Sequence, residues 1–107
     1  MIKKNDKIFV AGHNGLVGSA VIKKLKENHF TNIITAKRNK LDLFNQIKVN
    51  NFLRKYKPKM VILAAAKVGG IKANNKYRAD FIRENLQIQL NVIHSCHINN
   101  INNLIFL

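Results

Sequence analysis

The sequence predicts an α/β protein built on an open parallel sheet with helices wound on both faces. Three observations predict it. A glycine corner, Gly12-His13-Asn14-Gly15-Leu16-Val17-Gly18, stands between a strand-like run and a helix-like run. Strand-like and helix-like segments then alternate to the last residue, the pattern of parallel strands joined by crossover helices. Met60-Val61-Ile62-Leu63-Ala64 is apolar at every position, as in a strand covered on both sides.

The first strand is Lys7-Ile8-Phe9-Val10-Ala11, short and rich in strand formers. The corner after it has the spacing GxxGxxG. Gly12 lets the chain leave the strand in a conformation a Cβ would oppose. Gly15 lets backbone N–H groups approach a pyrophosphate, and Gly18 lets the helix pack hard on the strand. The following helix presents unpaired N–H groups and the positive end of its dipole to that phosphate. Strand, corner and helix together read as the opening of a Rossmann-type dinucleotide-binding unit. Gly12, Asn14, Gly15, Leu16, Val17 and Gly18 are the candidate pyrophosphate residues.

The first helix is expected from Leu16 to Glu27 or Asn28, with Val17, Ala20, Val21 and Leu25 as its apolar stripe. Lys23, Lys24 and Lys26 lie towards its C-terminal end, where cations are favourable. Asn32–Ala36 reads as the second strand. Its end is where such a fold reads the adenosine ribose, usually with an acid when the cofactor is NAD. No acid occurs between Glu27 and Asp42; Lys37 and Arg38 stand there instead. A guanidinium fork suits a 2′-phosphate, so NADP(H) is expected over NAD(H), with Arg38 as its main partner.

Asp42 is positioned to cap a second helix whose apolar face is Val49, Phe52, Leu53 and Tyr56. Pro58 ends it. The third strand, Met60–Ala64, runs into Ala65-Ala66-Lys67-Val68-Gly69-Gly70. Small residues there let a cofactor cross the strand's carboxyl end. Lys67 is a candidate contact for phosphate or substrate. Ile71–Tyr77 reads as a polar connection, and a long helix is expected over about Arg78–Asn99. Its apolar face would comprise Ile82, Leu86 and Ile93, with Phe81, Ile88, Val92 and Cys96 nearby. Cys96 reads as a small core residue. His94 and His97 have no ligand partners at metal-binding spacing, so no metal is expected. Leu104-Ile105-Phe106-Leu107 is the fourth strand. The expected strand order is 3-2-1-4, with the fold truncated after that strand and its apolar edge unpaired.

The chain has 107 residues, which allows one small domain. We therefore expect residues 1–107 to form a partial NAD(P)-binding domain with no substrate domain. No apolar run approaches the roughly 20 residues of a membrane span, and no leader-like apolar segment opens the chain. One cysteine excludes an internal disulfide and fits the cytoplasm. The net charge is +14, from 19 basic and 5 acidic side chains. The lysines are dispersed and accompanied by abundant Asn and Ile. This is compositional bias rather than a nucleic-acid patch, so neither a specific nucleic acid nor a membrane is expected as partner.

Beyond the corner, the stretch Ala64-Ala65-Ala66-Lys67-Val68-Gly69-Gly70-Ile71, continuing to Ala73-Asn74-Asn75 and then Ala79-Asp80-Phe81-Ile82 and Asn85, resembles the N-terminal part of the GDP-L-fucose synthase family. These are extended short-chain dehydrogenase/reductases of the NAD-dependent epimerase/dehydratase group. The resemblance covers the whole chain. It implies NADP(H) as cofactor, with Gly12, Gly15 and Gly18 at the pyrophosphate and Arg38 at the 2′-phosphate. It implies Asp42 and Leu43 near the adenine, Ala64 and Ala65 along the cofactor, and Lys67 and Val68 near the nicotinamide or substrate. The family often has arginine where this chain has Asn14, which weakens one phosphate contact. The resemblance also implies an intact enzyme that is a homodimer. That enzyme makes GDP-L-fucose from GDP-4-keto-6-deoxy-D-mannose by 3,5-epimerisation and 4-reduction. The family's Ser, Tyr-x-x-x-Lys, Cys and His fall beyond the fourth strand. The GDP-sugar would therefore be a substrate only of the intact enzyme, and this chain alone would be inactive unless a complementing C-terminal chain supplies them. The alternatives are a non-catalytic nucleotide-binding module or a fragment of another nucleotide-sugar epimerase or dehydratase.

Overall fold

Four parallel strands carry the molecule: β1 (Ile8–Ala11), β2 (Ile33–Ile34), β3 (Met60–Leu63) and β4 (Asn103–Phe106). The computed structural model describes residues 1–65 and 78–107. Lys67 and the 66–77 connection lie outside the described residues. Among the described residues, three helices alternate with the strands: α1 (Leu16–Glu27), α2 (Gln46–Tyr56) and α3 (Arg78–Ile98). The fold is the doubly wound α/β sheet expected.

The strand order is β2-β1-β3-β4, all parallel. The expected order 3-2-1-4 is corrected: the strand at Met60 pairs with β1, not with β2. Burial gives the reason. All four residues of β1 are buried, so it needs a neighbour on each side, whereas β2 is two half-buried residues suited to an edge. A right-handed crossover that reverses direction along the sheet places its helix on the opposite face. Accordingly α1 covers one face, where Val21, Ile22 and Leu25 pack against Ile8, Val10 and Ile62. Helices α2 and α3 cover the other, packing Val49, Leu53, Ile88, Val92 and Cys96 against Phe9, Val61 and Leu63. Phe9, Val10 and Val61 are at most 2% exposed, and burying such a side chain contributes about 1.5–3 kcal/mol.

Three local expectations change. The stripe of α1 is rotated: Gly18, Val21, Ile22 and Leu25 face the sheet, while Val17 and Ala20 are exposed. Gly18 sets this rotation by lying directly on the Gly12 carbonyl. Helix α2 begins later than Asp42 implied. Asn45 is its N-cap, accepting from the Lys48 N–H at 3.1 Å, while Asp42 instead accepts from the Phe44 N–H at 3.0 Å. In α3 the buried stripe is Ile88, Asn91, Val92, Ser95 and Cys96. Ile82, Leu86 and Ile93 stay exposed, as does Leu90.

Helices α1, α2 and α3 each exit through a left-handed residue that is not glycine: His29 (φ 67°), Lys57 (φ 48°) and Asn100 (φ 58°). After α1, the His29 N–H donates to Lys26 O and the Phe30 N–H to Leu25 O. After α3, Asn100 and Ile101 donate likewise to His97 O and Cys96 O. These paired bonds satisfy carbonyls the helix leaves open.

Candidate functional site

The carboxyl ends of β1 and β3, with the segment following β2, surround a cavity of about 310 Å³ on the α2–α3 face of the sheet. Ligands of open α/β sheets bind at such a place, where the chain reverses direction along the sheet. Here the reversal lies between β1 and β3, because β2 and β3 flank β1 on opposite sides.

The glycine corner forms one rim. Gly12 has φ +91°, and a Cβ there would stand 2.6 Å from Ala65 N, so the ends of β1 and β3 approach closely only with glycine. The Gly12 carbonyl accepts from the Gly15 N–H at 3.1 Å, closing the turn. The same oxygen lies 1.9 Å from where a Gly18 Cβ would be. Helix α1 is thus pressed onto the corner it starts from. Its N-cap, Gly15, is extended and offers no side-chain cap, and no acid occupies its first turn. The N-terminal N–H groups of α1 therefore lack a capping side chain, an arrangement suited to an anion.

Another part of the wall comes from the segment after β2. Ala36 and Arg38 line the cavity, followed by Leu41, Asp42, Leu43 and Phe44. The Arg38 side chain is exposed and pairs with no carboxylate among the described residues. Phe9 and Ala11 of β1, Ala64 and Ala65 beyond β3, and Ile88 of α3 complete the lining.

Of the residues singled out in the sequence, the cavity brings together Gly12, Asn14, Gly15, Arg38, Asp42, Leu43, Ala64 and Ala65. It does not bring in Leu16, Val17 or Gly18. Leu16 is 89% exposed beside the corner, Val17 is exposed on α1, and Gly18 is buried beneath the corner as a packing position. Lys67 lies outside the described residues. Sequence reasoning missed Phe9, His13, Ala36, Leu41, Phe44 and Ile88 as lining. An aromatic at Phe44, directly after the Asp42-Leu43 pair, was the one legible signal. Ile88 carried none, since a core-facing helix residue looks the same with or without a cavity above it.

Cys96 is buried in the core away from this cavity, and burial pushes its thiol up to about 11. No cluster of three metal-ligating side chains occurs among the described residues. Nor is any helix among them long and apolar enough to cross a membrane.

Residues 8–107 match the model of the NAD dependent epimerase/dehydratase family. The chain belongs to that family. Proteins similar to it include "GDP-L-fucose synthase 1" of Arabidopsis thaliana, 57% identical over 107 residues. The "GDP-L-fucose synthase" of Escherichia coli K12 is 44% identical over 101 residues. These alignments cover 100% and 94% of this chain, but 33% and 32% of the relatives. The chain therefore spans about a third of the length of the curated relatives it matches. Among solved structures, the GDP-mannoheptose C4 reductase MlghC of Campylobacter jejuni, with NADP bound, superposes with a TM-score of 0.92 at 43% identity. That superposition covers 99% of this chain and 33% of the reductase.

Proposed function

We propose that this chain is the NADP(H)-binding portion of a GDP-L-fucose synthase, and so of an enzyme that is both isomerase and oxidoreductase. The observation that carries the reading is one cavity lined by two anion-seeking features. One is the glycine corner, from which the uncapped start of α1 leaves beside the cavity; the other is the Arg38 guanidinium, which pairs with no carboxylate among the described residues. The fit is physical. A dinucleotide's pyrophosphate suits N–H groups that lack side-chain caps, and a 2′-phosphate suits a guanidinium fork. Gly12, Asn14 and Gly15 would hold the pyrophosphate. Asp42 and Leu43 would border the adenosine, and Ala64 and Ala65 would leave room for the remainder to cross β3. When bound, NADPH supplies hydride for reducing the C4 ketone of GDP-4-keto-6-deoxy-D-mannose after its epimerisation. This chain's residues bind and orient that donor.

The proton donor must come from elsewhere. Neither Tyr56 nor Tyr77 is followed by lysine four positions on. We therefore read residues 1–107 as a partial domain, inactive by itself, completed by a segment carrying Ser, Tyr-x-x-x-Lys and the substrate lobe. The outer strand β4, paired on one side with β3 among the described residues, supports pairing with a further strand on its other edge. The exposed apolar stripe of α3 (Ile82, Leu86, Leu90 and Ile93) supports a homodimer of the completed enzyme. The cytoplasm is the compartment this reading implies.

Titration with NADPH and NADH tests the cofactor. NADPH should bind more tightly, and Arg38→Ala should weaken NADPH binding about 10- to 100-fold while leaving NADH nearly unchanged. Equal affinity of the unsubstituted chain for both would overturn the reading.

A further inference from the structure

Helix α3 lies against the sheet, yet its buried stripe contains a carboxamide. Asn91 is 1% exposed. Its Nδ2 donates to the Leu43 carbonyl at 2.8 Å, across 48 residues of sequence, and its Oδ1 accepts from Gln87 Nε2 at 2.8 Å. A buried amide with both ends engaged has one orientation. Rotating it would set oxygen against the Leu43 oxygen and leave that carbonyl without its donor.

What it holds matters. Leu43 belongs to the cavity wall Leu41–Phe44, and that wall is in neither a strand nor a helix. The wall's own hydrogen bonds are local. Leu41 N–H donates to Lys37 O at 2.9 Å, Phe44 N–H to Asp42 Oδ1 at 3.0 Å, and Asn45 N–H to Asp42 O at 3.0 Å. Such bonds shape the loop; its place against the sheet rests on the packing of Leu41 and Leu43 on the core and on the bond from Asn91. The Asn91 bond ties it to a long helix. One turn earlier, Ile88 lines the same cavity. Helix α3 therefore supplies floor through Ile88 and sets the wall through Asn91.

We infer that Asn91 is a positioning residue for the adenosine end of the nucleotide site, acting through the Leu43 carbonyl and held in orientation by Gln87. The inference rests on the nucleotide reading above. An untethered wall spends part of its time out of place, and affinity falls by the fraction of time it is absent. The loss falls on ligands that touch the wall and spares those held only at the glycine corner.

The test uses the full chain, with 2′,5′-ADP as probe of the adenosine end and inorganic pyrophosphate as probe of the corner. Titrations are run well below each variant's melting temperature. Asn91→Leu keeps a side chain of similar size and removes the bond. We expect the dissociation constant for 2′,5′-ADP to rise about three- to tenfold and that for pyrophosphate to stay unchanged. Gln87→Leu leaves the Leu43 bond in place but frees the amide to turn, so it should show a smaller shift in the same ratio. An Asn91→Leu chain that binds both probes as the parent does overturns the inference; so does equal weakening of both, which marks a general structural role. Should Asn91→Leu fail to fold, the Gln87→Leu ratio decides, an unchanged ratio overturning it. If the unsubstituted chain binds neither probe, the nucleotide reading itself falls and takes this inference with it.

Discussion

Adding one methyl group at each corner glycine separates packing from ligand contact. At Gly18 the added Cβ would stand 1.9 Å from Gly12 O, 2.7 Å from Gly12 C and 3.2 Å from the His13 Cα. All three are backbone atoms, and Gly18 is buried, so no side chain can swing away. An ordinary contact needs more than about 3 Å, so α1 and the corner must part by roughly 1 Å. Overpacking on this scale costs about 2–3 kcal/mol, or about 10–20 °C of melting temperature in a domain this small. At Gly15 the nearest atom is Gly12 O at 3.5 Å and φ is −77°, an ordinary angle for alanine. Gly15→Ala should therefore melt close to the parent. Gly15 nonetheless lines the cavity, and its added methyl group should weaken NADPH binding. Gly12→Ala should lose both stability and binding, because its φ is +91° and its Cβ meets the Ala65 backbone. Circular-dichroism melts with NADPH titrations read both quantities. A Gly18→Ala chain melting within a degree or two of the parent would refute the packing argument. A Gly15→Ala chain binding NADPH normally would refute the ligand argument.

Two further outcomes follow from the core and from the sequence. Burial holds the Cys96 thiol at about 11, above its ordinary 9.0. The folded state thus disfavours thiolate; the stability linked to this group is complete below pH 9 and is lost as pH rises towards 11. Urea unfolding across that window should show a steeper fall for the parent than for Cys96→Ala. That difference isolates the thiol from every group the two chains share, and parallel curves would contradict it. Secondly, the isolated chain mixed with NADPH and GDP-4-keto-6-deoxy-D-mannose should consume no NADPH above background. A sustained rate would show that a proton donor exists among these residues after all.

Much of the fold was legible because local patterns and tertiary packing agree. The corner announced β1 and α1, and the all-apolar run at Met60–Leu63 announced a doubly covered strand. The strand order was not legible. Nothing in the segments says on which side of β1 a strand will lie. That is decided by the contrast between a fully buried β1 and a two-residue β2. The rotation of α1 escaped periodicity because Val17 and Ile22 compete for the same role, and the backbone contact at Gly18 chose between them. In α3 apolar residues run round most of the helix, so no stripe stood out. At the site, glycines and Arg38 were legible by their chemistry. Asn91 was not, because one asparagine among many in an Asn-rich chain gives no sign of being buried.

The helix exits at His29, Lys57 and Asn100 leave the molecule with unclaimed reserves. Each asks a Cβ-bearing residue to sit where glycine is at ease, while the glycines among the described residues are Gly12, Gly15 and Gly18. Among the described residues, backbone freedom has thus been kept at the corner and withheld from the ends of the scaffold. A protein engineer could toughen the frame from those three exits inward without altering an atom of the corner.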